Sequence, residues 1–279
     1  MKLSRLRRYP LLPIAVLLAI LFIPALFAEW LAPHDPYQSH LRNRLQPPVF
    51  WGGTWDFVLG TDRLGRCVLS RIMHGAQYAL AISAVGIFVG AAIGTLLGLV
   101  AGYARGWTDI VVMRLVDISL ALPSILLALA FAAAWGPSFE AVIIVVAFVL
   151  WAYFARQIRA EVLSIRERDF VARARVAGGS HARIVLLHIL PNVVNTVVVM
   201  ATLQVGVVIL LEAALSFLGI GVPRPTPAWG LLVADGRWLV VSAWWISFFP
   251  GVAILLAVLS VNLLGDWLRD RLDPELIEV

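Results

Sequence analysis

The chain has 279 residues, 61% of them hydrophobic and 14% charged, with mean hydropathy +0.90, which excludes an ordinary soluble domain and predicts a polytopic membrane protein. Its formal charge of +5 comes from arginines scattered between apolar runs, not from a dense nucleic-acid patch, and its one cysteine, Cys67, excludes an internal disulfide or a cysteine metal cluster. The only lysine is Lys2, so a Gly-x-x-x-x-Gly-Lys-Ser/Thr phosphate loop cannot exist here, and no catalytic or metal-ligating residue is predicted.

Lys2, Arg5, Arg7 and Arg8 precede an uncharged run from Tyr9 to Ala28, about the twenty residues that cross a hydrocarbon core. It is long for a signal peptide and Ala25-Leu-Phe-Ala28 lacks a small-x-small cleavage pattern, so it reads as a retained first span. Glu29 to Tyr78 is polar and proline-containing, an extramembrane loop with a short amphipathic helix over Leu64–Gly75. Asp62, Arg63 and Arg66 either form a local network there or are simply solvated.

Ala79 to Tyr103 is span two, with Gly86, Gly90, Gly94, Gly98 and Gly102 at strict four-residue steps. Small residues let helices approach closely in lipid, so this row is read as an oblique packing ridge in preference to a ligand site. Span three, Ile110 to Trp135, carries Arg114 and Asp117 on one face, able to neutralise each other, and a kink at Pro123. Span four runs from Ala141 to Ala155.

Glu161 to Asn192 then holds Arg166, Glu167, Arg168, Asp169, Arg173, Arg175 and Arg183, too many charges for hydrocarbon. Good helix formers from Asp169 to Ala177 meet Gly178-Gly179, which supplies the positive-φ turn that ends a helix. Ser180 caps a second short helix, His181 to Leu190, stopped by Pro191. A solvated basic loop without a partner is the competing reading of this helix, elbow and helix.

Span five, Val193 to Ile220, carries Asn195, Gln204 and Glu212; an acid there must be protonated, paired or facing water, and is either functional or a structural bond to a neighbouring helix end. Pro223, Pro225, Pro227 and Trp229-Gly230 predict a rigid outer loop. Trp229, Trp238, Trp244 and Trp245 suit an interfacial belt, and span six covers Leu239 to Leu264 with a bend at Pro250.

Five separated stretches carry a family resemblance. Asp169-Phe-Val-Ala-Arg-Ala-Arg-Val-Ala-Gly178, followed by Arg183-Ile and His188-Ile-Leu-Pro-Asn192, resembles the cytoplasmic EAA loop of bacterial ABC importer permeases. The core here reads Ala172-Arg173-Ala174, so Ala174 and Gly178 alone keep the hallmark spacing. Leu59 to Arg71, Met113 to Pro123, Leu211 to Val222 and Asn262 to Pro274 resemble stretches of the peptide and nickel class of these permeases, of the C type. The class usually has Asp where this chain has Cys67.

That resemblance implies an all-α integral membrane protein of the type I importer permease fold, with six transmembrane helices and a cytoplasmic coupling helix. The division expected is a first helix plus outer loop, 1–75, and a five-helix core, 76–279, including the coupling loop 161–192. Asp169, Phe170, Ala174, Arg175, Gly178, Gly179 and Ser180 would dock on an ATPase, while Glu212 and Gln204 are pathway or structural polar groups. Implied partners are a second permease, two cytoplasmic ATPase subunits holding ATP and Mg2+, an extracytoplasmic binding protein and the bacterial inner membrane. No cofactor is expected in this chain itself. With both ends on one side, fifteen of the 22 Lys and Arg fall on the side of the termini and the loop, which puts these in the cytoplasm and Cys67 outside.

The implied function is ATP-driven import, with peptides chosen over nickel or another small solute. An ion-coupled carrier is the alternative from another class, but Glu212 is nearly its only titratable mid-membrane group and no internal repeat is visible. A membrane hydrolase is disfavoured because His34, His40, His74, His181 and His188 all fall in predicted loops or surface helices.

Overall fold

The computed structural model describes residues 10–272, so Lys2, Arg5, Arg7, Arg8, the first residue of the predicted span one and the end of the C-terminal motif lie outside the described residues. Nine helices in chain order account for most of the described chain. They are α1 Leu11–Leu31, α2 Val68–Ala104, α3 Gly106–Ala121, α4 Ser124–Trp135, α5 Phe139–Ile165, α6 Asp169–Val176, α7 His181–Phe217, α8 Trp229–Gly236 and α9 Trp245–Leu272. Among the described residues five are long and apolar enough to cross a membrane, and α3 with α4, bent by 88° at their junction, passes the same test when the two are counted together, as a broken span or a re-entrant loop.

Several predicted boundaries shift for identifiable reasons. No separate amphipathic helix occupies Leu64–Gly75: the chain enters α2 at Val68 and continues for 37 residues, about 55 Å, well past a hydrocarbon thickness of about 30 Å. Pro123 breaks its span outright, because Leu122 (ψ 123°) and Pro123 (ψ 126°) are both extended, the conformation favoured just before a proline. Pro191 does not stop its helix. A π turn over Val185–Ile189, with Leu190 N–H reaching back to the Val185 carbonyl, widens the ladder just before the proline that cannot donate to it. The same device recurs in α1, where a π turn at Leu18–Phe22 precedes Pro24.

The glycine row lies along α2 against α5, the most extensive helix pair in the protein. A Cβ at Gly86 would meet Val146 at 2.5 Å, at Gly98 the Ala155 carbonyl at 2.7 Å, and at Gly94 would run into the Trp151 carbonyl. Gly90 and Gly102 face Leu150 and Val162 in the same way, at 2.9 and 2.8 Å. Side-chain-free faces thus bring the two backbones together along their shared length. Asp109 to Arg159 (2.5 Å) and Asp117 to Arg156 (2.7 Å) tie α3 to α5. Asp117 therefore pairs across helices and not with Arg114 three residues away, since α3 packs on α5 and brings Arg156 and Arg159 beside it.

On the opposite end, the loop between α1 and α2 is pinned by buried charge. Asp62 accepts from Arg66 Nε at 2.7 Å and Arg71 Nη1 at 2.5 Å and from the backbone N–H groups of Leu64 and Arg66. The network is thus Asp62, Arg66 and Arg71, while Arg63 stays exposed. Two of the four tryptophans of the expected belt are interior struts. Trp229 (1% exposed) donates to the Ile72 carbonyl and Trp245 (4%) to the Thr61 carbonyl, whereas Trp238 is 77% exposed. The proline-rich segment leads directly into α8, which fits because Gly230 sits against the Ala213 backbone. Cys67 is buried (1% exposed), so a thiol reagent added outside would not report its side of the membrane.

Candidate functional site

The elbow between α5 and α7 is built by local rules. Arg168 is extended at the start of α6, Asp169 sits in its positively polarised first turn, and Arg173 and Arg175 lie in its last turn. Gly178 adopts φ +79°, and its N–H and that of Gly179 return to the Arg175 and Ala174 carbonyls, which closes the C-terminus of α6. Ser180 Oγ then accepts from Arg183 N at 3.3 Å and caps α7.

One side of this element is buried and the other is bare. Val171 and Ile184 are essentially inaccessible and join Leu99 of α2, Ile158, Val162 and Ile165 of α5, and Ile189 and Val193 of α7 in one apolar cluster, with Phe170 and Ala174 against it. Asp169, Arg173, Arg175, Gly178 and Ser180 are exposed, and Val176 is 90% exposed. A Cβ at Gly178 would meet nothing within 4 Å, whereas one at Gly179 would press on the Ala174 carbonyl at 2.9 Å. The element is therefore a stiff, mostly basic projection: its core face fixes it to three long helices and its outer face is open.

The remaining predicted residues lie elsewhere. Gln204 is part-buried midway along α7, and Glu212 is 1% exposed near the far end of that helix, roughly 45 Å of helix from His181. Ser216 Oγ donates to Glu212 Oε1 at 2.7 Å and accepts from Val222 N at 3.2 Å, so the acid anchors the turn that leads to α8. Of the glycine row, Gly102 alone reaches the elbow end.

Residues that sequence reasoning missed are those whose partners are distant in the chain. Arg166 Nη1 donates to the Tyr103 carbonyl at 2.8 Å and the Gly102 carbonyl at 3.3 Å. Tyr103 Oη lies 2.9 Å from His181 Nδ1, and the Arg175 guanidinium is 5.7 Å from the Tyr103 ring centre. No local pattern announces contacts across 63 to 78 residues. Among the described residues no group of three or more His, Cys, Asp or Glu is placed to hold a metal ion.

Comparisons with known proteins agree with this architecture. Residues 94–278 match a family model described as the binding-protein-dependent transport system inner membrane component, and residues 14–48 match the N-terminal TM domain of oligopeptide transport permease C. The chain is 45% identical over 254 residues to the di/tripeptide transport system permease protein DppC of Pseudomonas aeruginosa, covering 90% of this chain and 84% of that one. It is 42% identical to the glutathione transport system permease protein GsiD of Escherichia coli O6:K15:H31 (97% and 88% covered). To the probable D,D-dipeptide transport system permease protein DdpC of Escherichia coli K12 it is 38% identical (94% and 86%). In fold it is similar to a chain of the MetNI methionine ABC transporter solved in inward-facing conformations, with TM-score 0.59 at 19% identity, covering 70% of this chain and 93% of that one. The chain belongs to the family of binding-protein-dependent transport system inner membrane components, the permease subunits of ABC importers.

Proposed function

We propose that this chain forms half of a peptide translocation pathway and that the α6 elbow is where it receives work from a cytoplasmic ATPase. The observation that carries the proposal is a rigid, exposed, arginine-bearing projection whose inner face is locked by buried contacts onto α2, α5 and α7. Such an element can be displaced as a body, which a solvated loop cannot. ATP and Mg2+ belong to two partner ATPase subunits, a second permease supplies the other half of the pathway, and an extracytoplasmic binding protein delivers substrate. The excess of arginine on the elbow's side supports placing it and both termini in the cytoplasm of a bacterial inner membrane.

Closure of the ATPase pair moves the elbow, and α5 and α7, which flank it, tilt the pathway between inward and outward openings. Asp169, Phe170, Ala174, Arg175, Gly178, Gly179 and Ser180 shape the seat: Phe170 and Ala174 from beneath, the glycines as the turn, and the charged residues on the open face. Peptides are the proposed cargo because the relatives named above handle dipeptides, tripeptides or glutathione, itself a small peptide. The test is uptake of labelled di- and tripeptides by proteoliposomes holding the whole assembly, with the proton gradient collapsed and ATP supplied. Uptake that continues agrees with the proposal, and uptake lost while ATP remains intact would point to ion coupling.

A further inference from the structure

The end of α2 is tied to the elbow although it does not adjoin it in sequence. A helix leaves its last carbonyls without partners, and here Arg166, just after α5, satisfies those of Gly102 and Tyr103 with a cation at the negatively polarised end. Tyr103 reaches the other way, its hydroxyl to His181 at the start of α7 and its ring beneath Arg175 of α6. The two rings meet edge to face at 5.7 Å. Gly102 is also the last rung of the glycine row, packed on Val162 of α5. α7 leaves the elbow through the π turn at Val185–Ile189 and then Pro191, with Ile184, Ile189 and Val193 held in the elbow's apolar cluster.

We infer that Tyr103 is a positioning residue that makes α2 an output of the elbow, so that α2 and α5 move with α6 as one body. This rests on the proposed coupling role of the elbow. The experiment uses the full transporter in nanodiscs, carrying a nitroxide on a cysteine introduced at Leu96, an exposed position on α2 (62%), the native Cys67 being buried. Its spectrum is recorded with and without ATP, and ATP hydrolysed per peptide imported is measured in parallel. In the wild type ATP shifts the spectrum. In Tyr103→Ala the shift is lost and the ATP cost per peptide rises at least about fivefold, the low end of coupling between sites. Tyr103→Phe, which keeps the ring under Arg175, and His181→Ala each give a smaller rise, and the double variant is no worse than either single one.

If Tyr103→Ala fails to assemble, the Tyr103→Phe and His181→Ala cycle decides. Additive effects in that cycle, or an undiminished ATP-dependent shift in assembled Tyr103→Ala, would overturn the inference. A wild-type assembly that shows the spectral shift but imports no peptide would instead overturn the proposed cargo, leaving the role of Tyr103 intact.

Discussion

Gly178 carries the sharpest consequence of any single residue. Its φ of +79° lies in the left-handed region, where a side chain is strained, and the space around its Cα is open. A side chain added there therefore disturbs the turn and projects toward whatever seats on α6, without clashing with the core. Gly178→Asp is expected to insert and assemble, to keep hydrolysing ATP and to lose most peptide uptake; paired uptake and ATPase assays on proteoliposomes check this. Arg71 makes a different prediction. It is 1% exposed and holds Asp62 together with Arg66, so Arg71→Met strips one of the two cations from a buried carboxylate. Breaking a buried pair costs about 3 kcal/mol, and because the contact joins the loop between α1 and α2 to α2 itself, the loss shows as a lower thermal midpoint with earlier protease cleavage between residues 32 and 67.

Among elements, the α2 and α5 pair is the one on which the others are hung. Each glycine of its row faces backbone or a Cβ of α5 closer than a new methyl would tolerate, and at Gly94 the obstacle is main chain that cannot rotate away. Gly94→Val forces the helices apart, with a cost at least in the range of about 1–3 kcal/mol seen for overpacked cores. It is expected to lower the thermal midpoint of the purified subunit far more than Gly136→Ala, a substitution into open space whose penalty is only that of its positive φ.

The legibility of the sequence follows the range of the forces involved. The helix, glycine elbow and Ser180 cap could be read from neighbouring residues because the interactions that make them span five positions or fewer. The apolar runs announced spans for the same reason. What could not be read are contacts between residues far apart in the chain: Arg166 on the α2 carbonyls, Asp117 on Arg156, Arg71 on Asp62, and Trp229 and Trp245 turned inward. Pro191 is the instructive case of a local rule overridden, since the π turn before it lets the helix run through a residue that ordinarily ends one.

The molecule as a whole has two differently built ends. One is fastened by buried charge and two tryptophan struts, and the other presents the elbow on a shared apolar base. A body packed along α2 and α5 and joined to the elbow can turn a displacement of the elbow into a change of opening between subunits. The most direct measurement is photo-cross-linking from a benzoylphenylalanine placed at Val176, which is 90% exposed on the open face of α6, in the assembled transporter with its partner ATPase present. The account predicts an adduct with the ATPase whose yield changes with ATP. Adducts only to lipid, or none at all while the ATPase still co-purifies and peptide is imported, would contradict it.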